Sequence, residues 1–116
     1  MKIAIPLDET KKAVCVSFGR APCFLFEDAG KTESLENPAA EAQGGAGIQA
    51  AQFIVDHGAE ALVTVRCGEN AAEVFKNAGM KIFEAEGLDA DRNLALAKDN
   101  KLAPLTRFHA GYHGIR

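Results

Sequence analysis

Three cysteines and two arginines stand in two short segments of the chain. In the first segment, Arg20 lies between Cys15 and Cys23. In the second, Cys67 directly follows Arg66. A nearby guanidinium group favours the thiolate form of cysteine, and thiolates are ligands for iron–sulfur clusters, copper(I) and zinc. The pattern predicts a metal or metal–sulfur site, although no C-x-x-C or common zinc spacing is present. The alternative, that each cysteine is a small buried hydrophobic residue, stays open.

Glycines precede two predicted helices. Gly44, Gly45 and Gly47 lead into the first, and Gly68 leads from a strand into the helix that contains Asn70. The free backbone N–H groups of a helix N-terminus attract anions, so both turns are candidates for an anion site. No Gly-Lys-Ser/Thr follows the run, and a polar linker precedes it. These two features exclude a P-loop and a dinucleotide fingerprint, and leave simple tight turns as the alternative.

Carboxylate and Cys–His chemistry are weakly supported. Asp8, Glu27 and Asp28 could contribute to two-metal hydrolysis. However, Glu27 and Asp28 are adjacent and would point in opposite directions in a regular strand. No histidine is predicted near the strand end that carries Cys67, which argues against a Cys–His nucleophile. We therefore expect neither two-metal hydrolysis nor Cys–His nucleophilic catalysis.

The C-terminal stretch shows no clear hydrophobic period. His109 and His113 are four residues apart, as a helical ligand pair would be, but the two glycines nearby disfavour a helix. We expect a solvated, mobile tail over residues 103–116, outside a domain that spans residues 1–102.

The elements that must position these residues alternate between strands and helices. Strands are predicted at Lys2–Leu7, Cys23–Glu27, Thr32–Asn37, Ala61–Val65 and Met80–Glu84, of which Thr32–Asn37 is more polar and so nearer an edge. Helical stripes end at Gly58, Gly79 and Lys98. Alternating strands and helices require parallel pairing, and the hairpin at residues 28–31 adds one antiparallel strand. The predicted fold is a three-layer α/β/α sandwich over a mixed sheet of about five strands. Ligands in such folds collect at the carboxyl ends of the parallel strands.

The composition suits a single domain. The chain has 116 residues, 47% of them hydrophobic, and a formal net charge of -3. The mild acidity gives no electrostatic reason to expect nucleic acid. Apolar runs are too short for a membrane span or a secretory signal, so we expect a cytoplasmic location and no membrane partner. Three cysteines is an odd number, which argues against a disulfide framework.

An ordered set of motifs resembles the dinitrogenase iron–molybdenum cofactor biosynthesis family, in particular its small nitrogenase accessory and orange-protein-like members. The resemblance covers Met1 to about Leu102. It is carried by Met1–Ile5, Ser17–Phe24, Gly44–Gly47 and Gly68–Ala71.

The resemblance implies an RNase H-like α/β/α fold and a non-enzymatic role in carrying, storing or protecting an anionic metal–sulfur cofactor. It also implies that the motif residues surround the cofactor in a cleft at the strand ends. Together with Arg66, the candidate cofactor-binding residues are Phe18, Gly19, Arg20, Gly44, Gly45, Gly47, Gly68 and Asn70.

The chain departs from the family pattern at three positions. Ser17 stands where a histidine is frequent, Cys23 where an aromatic residue is frequent, and Cys67 where the residue is usually apolar or small. Three thiols thus stand in the motif loops in place of the usual histidine. We expect Cys15, Cys23 and Cys67 to surround one metal, iron–sulfur or iron–molybdenum site, with Cys67 facing Cys23.

The glycine-rich cleft and the predicted edge strand allow two alternative interpretations. The glycine-rich cleft could bind the phosphate of a small molecule, either as a binding protein or as a hydrolase. An exposed edge strand at Thr32–Asn37 could instead pair with a partner. For a cofactor carrier we expect a cofactor donor or acceptor protein as partner, and a monomer or weak homodimer.

Overall fold

The computed structural model describes residues 1–109. Five strands and three α-helices form within these residues, together with a short 3₁₀ turn at Phe18–Arg20. The strands are β1 (Ile3–Leu7), β2 (Cys23–Asp28), β3 (Lys31–Glu36), β4 (Ala61–Thr64) and β5 (Lys81–Glu84). The helices are α1 (Ala46–Asp56), α2 (Glu69–Asn77) and α3 (Ala90–Lys98). None of these helices is long and apolar enough to cross a bilayer.

The strands form one sheet in the order β3-β2-β1-β4-β5. β1 is parallel to β4, β4 is parallel to β5, and β2 runs antiparallel to both of its neighbours. Every residue of β1 is buried, as expected for a central strand covered on both faces. The predicted mixed sheet with one antiparallel strand is confirmed.

A two-residue turn joins β2 to β3. Ala29 and Gly30 both have positive φ, at 54° and 85°, which is the conformation that favours tight hairpins because it matches the twist of the strands. The buried carboxylate of Glu27 accepts a hydrogen bond from the Gly30 N–H at 3.0 Å. It also pairs with Lys98 of α3 at 3.2 Å.

The alternation of side chains along the strands separates two hydrophobic layers. Ala4, Phe24 and Phe26 face α1 and α2, and Ile5 and Leu7 face α3. This arrangement confirms the predicted three-layer α/β/α sandwich. It also determines on which side of the sheet each cysteine lies.

The chain does not leave the fold after Leu102, contrary to our expectation. Residues 102–109, here called the C-terminal strap, follow the outer edge of β5. The Leu105 N–H donates to the Ile82 carbonyl at 2.9 Å, and the Glu84 N–H donates to the Ala103 carbonyl at 2.8 Å. Leu102 and Leu105 are buried, so apolar side chains anchor the strap. No hydrophobic period in the sequence predicts this contact with the sheet. His113 and the rest of the predicted tail beyond residue 109 lie outside the described residues.

Candidate functional site

A cavity of about 150 Å³ opens beside the carboxyl ends of β1 and β4. The segment before the 3₁₀ turn reaches the end of β4 through a parallel bridge between Ser17 and Arg66. This is the edge at which open α/β sheets bind ligands. The cavity, here called the turn cavity, is lined by Val16, Ser17, Phe18, Arg66, Gly68 and His109.

The 3₁₀ turn is fixed against the core by Phe18 and Gly19. The Phe18 ring is buried and packs against Phe75 with ring centroids 5.5 Å apart. A Cβ at Gly19 would lie 3.0 Å from both the Cα and the N of Gly47. Such a contact is tighter than most real Cβ contacts, so glycine at position 19 permits close packing of the turn on α1. The two predicted motifs therefore meet through backbone contact at Gly19 and Gly47.

Arg20 is engaged in holding a loop. Its guanidinium donates to the carbonyl oxygens of Ala40 and Ala42. Asn37 closes the same network because its side-chain amide donates to the Gly19 and Ala21 carbonyls at 3.1 and 2.9 Å. These contacts tie the linker before α1 to the 3₁₀ turn. Arg20 does not line the turn cavity, so the structure gives it a positioning role.

Gly44, Gly45 and Gly47 shape the entry to α1 and do not line the turn cavity. Gly45 has φ of 69° at the N-cap position, a conformation that glycine adopts readily. Gly47 lies next to Ala71 of α2, since a Cβ built on it would be 3.8 Å from the Ala71 Cβ. The run thus brings the N-terminal ends of α1 and α2 together.

The C-terminal strap reaches the N-terminus of α2, where an anion was expected. The Glu69 N–H donates to the His109 carbonyl at 2.9 Å, and the His109 N–H donates to the Cys67 carbonyl at 3.3 Å. A Cβ at Gly68 would lie 3.2 Å from Cε1 of the His109 ring, so glycine at position 68 makes room for that ring. Asn70 is exposed on the first turn of the helix.

Cys67 and Cys15 are on the α1–α2 side of the sheet. Cys67 is 1% exposed, and its thiol donates to the Gly68 carbonyl at 3.5 Å. Burial raises the pKa of Cys67 to about 11, with the Lys76 charge acting in the opposite direction. Cys15 is half-buried, and its thiol donates to the Ser17 carbonyl at 3.5 Å.

The expected meeting of Cys23 with Cys67 is wrong. Cys23 belongs to the layer that faces α3, with Leu7 and Val14, whereas Cys67 belongs to the layer that faces α1 and α2. The cause is the period of two in a strand: Phe24 and Phe26 face α1, so Cys23 points to the other side. Burial also raises the pKa of Cys23. Residues 1–109 contain no group of three or more histidine, cysteine or acidic side chains that could hold a metal ion.

A second cavity, of about 310 Å³, lies on the other side of Arg66. We call it the strap cavity because the C-terminal strap forms one of its walls. It shares Arg66 and His109 with the turn cavity. Its lining residues are Val65, Arg66, Cys67, Glu84, Leu105, Arg107, Phe108 and His109.

The sequence did not identify His109, Arg107 or Val16 as lining residues. The first two lie about forty positions from Gly68 along the chain, and no local pattern indicates that the strap returns to the sheet. The available signal was the pair of leucines, Leu102 and Leu105, in a stretch without a clear hydrophobic period. The charge of the site comes mainly from Arg66, which forms no ion pair with any residue between 1 and 109.

Comparison with known proteins places this geometry in context. A family model described as "Dinitrogenase iron-molybdenum cofactor" matches residues 1–100. An uncharacterized protein of Methanocaldococcus jannaschii is 29% identical over 107 residues, which are 88% of this chain and 89% of that protein.

Two solved structures share the fold over nearly the whole chain. The apo form of the orange protein from Desulfovibrio gigas has a TM-score of 0.83 and 29% identity, covering 90% of this chain and 92% of that one. A Thermotoga protein of the DUF35 family, provisionally named a NifB protein, has a TM-score of 0.76 and 32% identity, covering 92% of this chain and 95% of that one.

Proposed function

The chain belongs to the dinitrogenase iron-molybdenum cofactor family, and we propose that it binds and carries an anionic metal–sulfur cofactor in the turn cavity without catalysing a reaction. The cofactor is its cargo. A donor or an acceptor protein would be its partner in exchange. The observation that carries the proposal is the composition of the residues that line the turn cavity.

The wall combines positive charge with apolar surface. Arg66 supplies a guanidinium with no ion-pair partner among residues 1–109, and the lining contains no carboxylate. Val16, which is 44% exposed, and Phe18 supply apolar contact surface. Metal–sulfur clusters combine net negative charge with polarizable sulfur, so charge and apolar contact together suit an intact cluster. Hydrogen bonding by an arginine to an anion is stronger than between neutral groups.

The positions of the cysteines favour an intact cluster held by charge over a cluster assembled on three thiolates. Cys23 lies on the opposite side of the sheet from Cys67. Cys67 is protonated at neutral pH because its pKa is raised to about 11, and a metal would have to displace that proton. In the turn cavity, Arg66 would attract the cluster, and His109 is part of the lining.

The state of Cys67 also supports binding rather than catalysis. A cysteine nucleophile requires a thiolate, which is normally produced by a lowered pKa or an adjacent base. Burial acts on Cys67 in the opposite direction. Its thiol donates its hydrogen bond to a backbone carbonyl, that of Gly68.

Anaerobic loading tests the proposal. The full chain would be incubated separately with tetrathiomolybdate, a dianion of molybdenum and sulfur, and with iron plus sulfide. Unbound metal would then be removed by gel filtration. Retained metal per chain and the visible absorption spectrum would be measured for the wild type and for a variant in which Cys15, Cys23 and Cys67 are all alanine. We expect both proteins to retain the same metal–sulfur species.

Two results would contradict this proposal. Failure of the wild type to retain either probe would remove the cofactor-binding function. Retention by the wild type together with loss in the cysteine variant would show ligation by thiolates instead of binding by charge. Circular dichroism of the variant would show whether it is folded, and the Cys15→Ala single variant offers a milder comparison because Cys15 is only half-buried.

A further inference from the structure

We propose that the strap cavity is a second binding site, for a protonated oxyanion of the phosphate class, held between Arg66 and Arg107 with Glu84 as the group that recognises its proton. This site is distinct from the turn cavity, with which it shares Arg66. Its volume of about 310 Å³ is several times the roughly 30 Å³ that one water molecule occupies in the liquid. A tetrahedral oxyanion therefore fits with room for water.

Arg66 and Arg107 reach the cavity from two independently anchored segments. Arg66 follows β4, where its carbonyl accepts a hydrogen bond from the Thr64 hydroxyl at 3.1 Å and its backbone pairs with Ser17. Both anchors are local to the end of the strand. The backbone at position 66 is therefore fixed independently of the strap.

Arg107 lies between two anchors of the C-terminal strap. On one side, Leu105 is buried and bonded to β5 through its N–H group. On the other side, the Phe108 ring lies 5.1 Å from the Lys76 ammonium group, and the His109 backbone pairs with the start of α2. The chain is thus anchored within two residues on each side of Arg107, and these anchors fix the position of its backbone.

Neither arginine forms an ion pair with a carboxylate of the described residues, 1–109. The ion pair found within residues 1–109 joins Lys98 to Glu27, on the α3 side of the sheet. Two guanidinium groups that line one cavity without ion-pair partners favour an anion there. The planar fork of a guanidinium matches the oxygen spacing of phosphate-like anions.

Glu84 lines the same cavity and determines which oxyanion is preferred. A carboxylate repels an anion that has no proton, but it accepts a hydrogen bond from one that has kept a P–OH group. At neutral pH phosphate retains at least one proton, whereas sulfate retains none. Val65, Leu105 and Phe108 supply apolar walls to the same cavity.

Calorimetric titration of the full chain tests this site without a metal. Sodium phosphate and sodium sulfate would be compared at neutral pH and equal ionic strength. We expect saturable phosphate binding and at least about tenfold weaker sulfate binding, since the carboxylate accepts a charge-assisted hydrogen bond only from phosphate. Undetectable phosphate binding, or sulfate binding of equal strength, would overturn the proposal.

Variants assign the binding to the named side chains. Arg107→Gln should weaken phosphate binding about 10- to 100-fold, the range that one charged hydrogen-bonding group contributes. Arg92→Gln, on the exposed face of α3, is the matched control and should bind as the wild type does. Glu84→Gln should bring the phosphate and sulfate affinities together. Wild-type affinity in Arg107→Gln, or an unchanged preference in Glu84→Gln, would overturn the assignment.

A titration with glycerol phosphate tests whether the P–OH proton is the feature that Glu84 recognises. At neutral pH a phosphate monoester has largely lost its last P–OH proton, so we expect it to bind more weakly than inorganic phosphate. Tighter binding of glycerol phosphate would overturn the role of Glu84. Molybdenum retention by Arg107→Gln should remain at the wild-type level, because Arg107 does not line the turn cavity. Failure of the phosphate site is therefore distinguishable from failure of the proposed cofactor site.

Discussion

At the scale of single residues, burial decides what Cys67 can do. The side chain stands next to Arg66 in the sequence, a neighbour that favours a thiolate, yet the thiol is 1% exposed and its pKa is raised to about 11. Desolvation of the charged form outweighs the attraction of nearby positive charge. The neighbouring Arg66 predicts a lowered pKa for this thiol, whereas its pKa is raised.

The raised pKa of Cys67 predicts a dependence of stability on alkaline pH. In the unfolded chain the Cys67 thiol has its ordinary pKa of 9.0, whereas in the folded protein its pKa is about 11. The protonated thiol therefore contributes its full stability below pH 9, and that contribution is lost as the pH rises through 11. Urea unfolding across this range should show the free energy of unfolding falling more steeply in the wild type than in Cys67→Ala. If the free energy of unfolding changed with pH in the same way for both proteins, the pKa of Cys67 would not be raised by folding.

Glycine is required at position 19 because the backbone of Gly47 leaves little room for a side chain there. Gly19→Ala should destabilise the fold by about 1–3 kcal/mol, because an added methyl meets backbone atoms of Gly47 that cannot rotate away. Gly44→Ala is the matched control in the neighbouring loop, where a Cβ meets nothing within 4 Å. Chemical denaturation of both variants measures the difference. Equal stabilities would mean that the turn adjusts without strain.

At the scale of elements, the C-terminal strap completes both cavities. It covers the edge of β5 and then caps the start of α2 with the His109 backbone. No periodic pattern predicts this segment, because its order depends on two buried leucines and on hydrogen bonds to residues far away in the sequence. The strands and helices, by contrast, were predictable, since hydrophobic periodicity and glycine boundaries are local signals.

Gly68→Ala should loosen the end of the strap. The added methyl would lie 3.2 Å from the His109 ring, so the ring must move and the hydrogen bond from the Glu69 N–H to His109 should weaken. Hydrogen exchange of the Glu69 amide, followed by NMR, should be faster in this variant than in the wild type or in Gly44→Ala. An unchanged Glu69 exchange rate would show that the strap adapts without losing this contact.

At the scale of the whole molecule, an acidic chain presents a positively charged edge. The formal net charge is -3, yet Arg66 and Arg107 line cavities at one end of the sheet without an ion-pair partner among residues 1–109. The α/β/α frame was predictable from the sequence, and so was a cleft at the carboxyl ends of the strands. The composition of the site was not, because the side of the sheet that Cys23 faces depends on strand register, and the residues of the strap come from distant chain positions.

The affinity of tetrathiomolybdate for Arg66→Gln tests the central claim most directly. Dissociation constants would be measured without oxygen for the wild type, Arg66→Gln and the control Arg92→Gln. Binding in the turn cavity by charge predicts that Arg66→Gln binds at least about tenfold more weakly, while Arg92→Gln equals the wild type. Wild-type affinity in Arg66→Gln would contradict the account, because the charge that lines the cavity would then have no part in holding the anion.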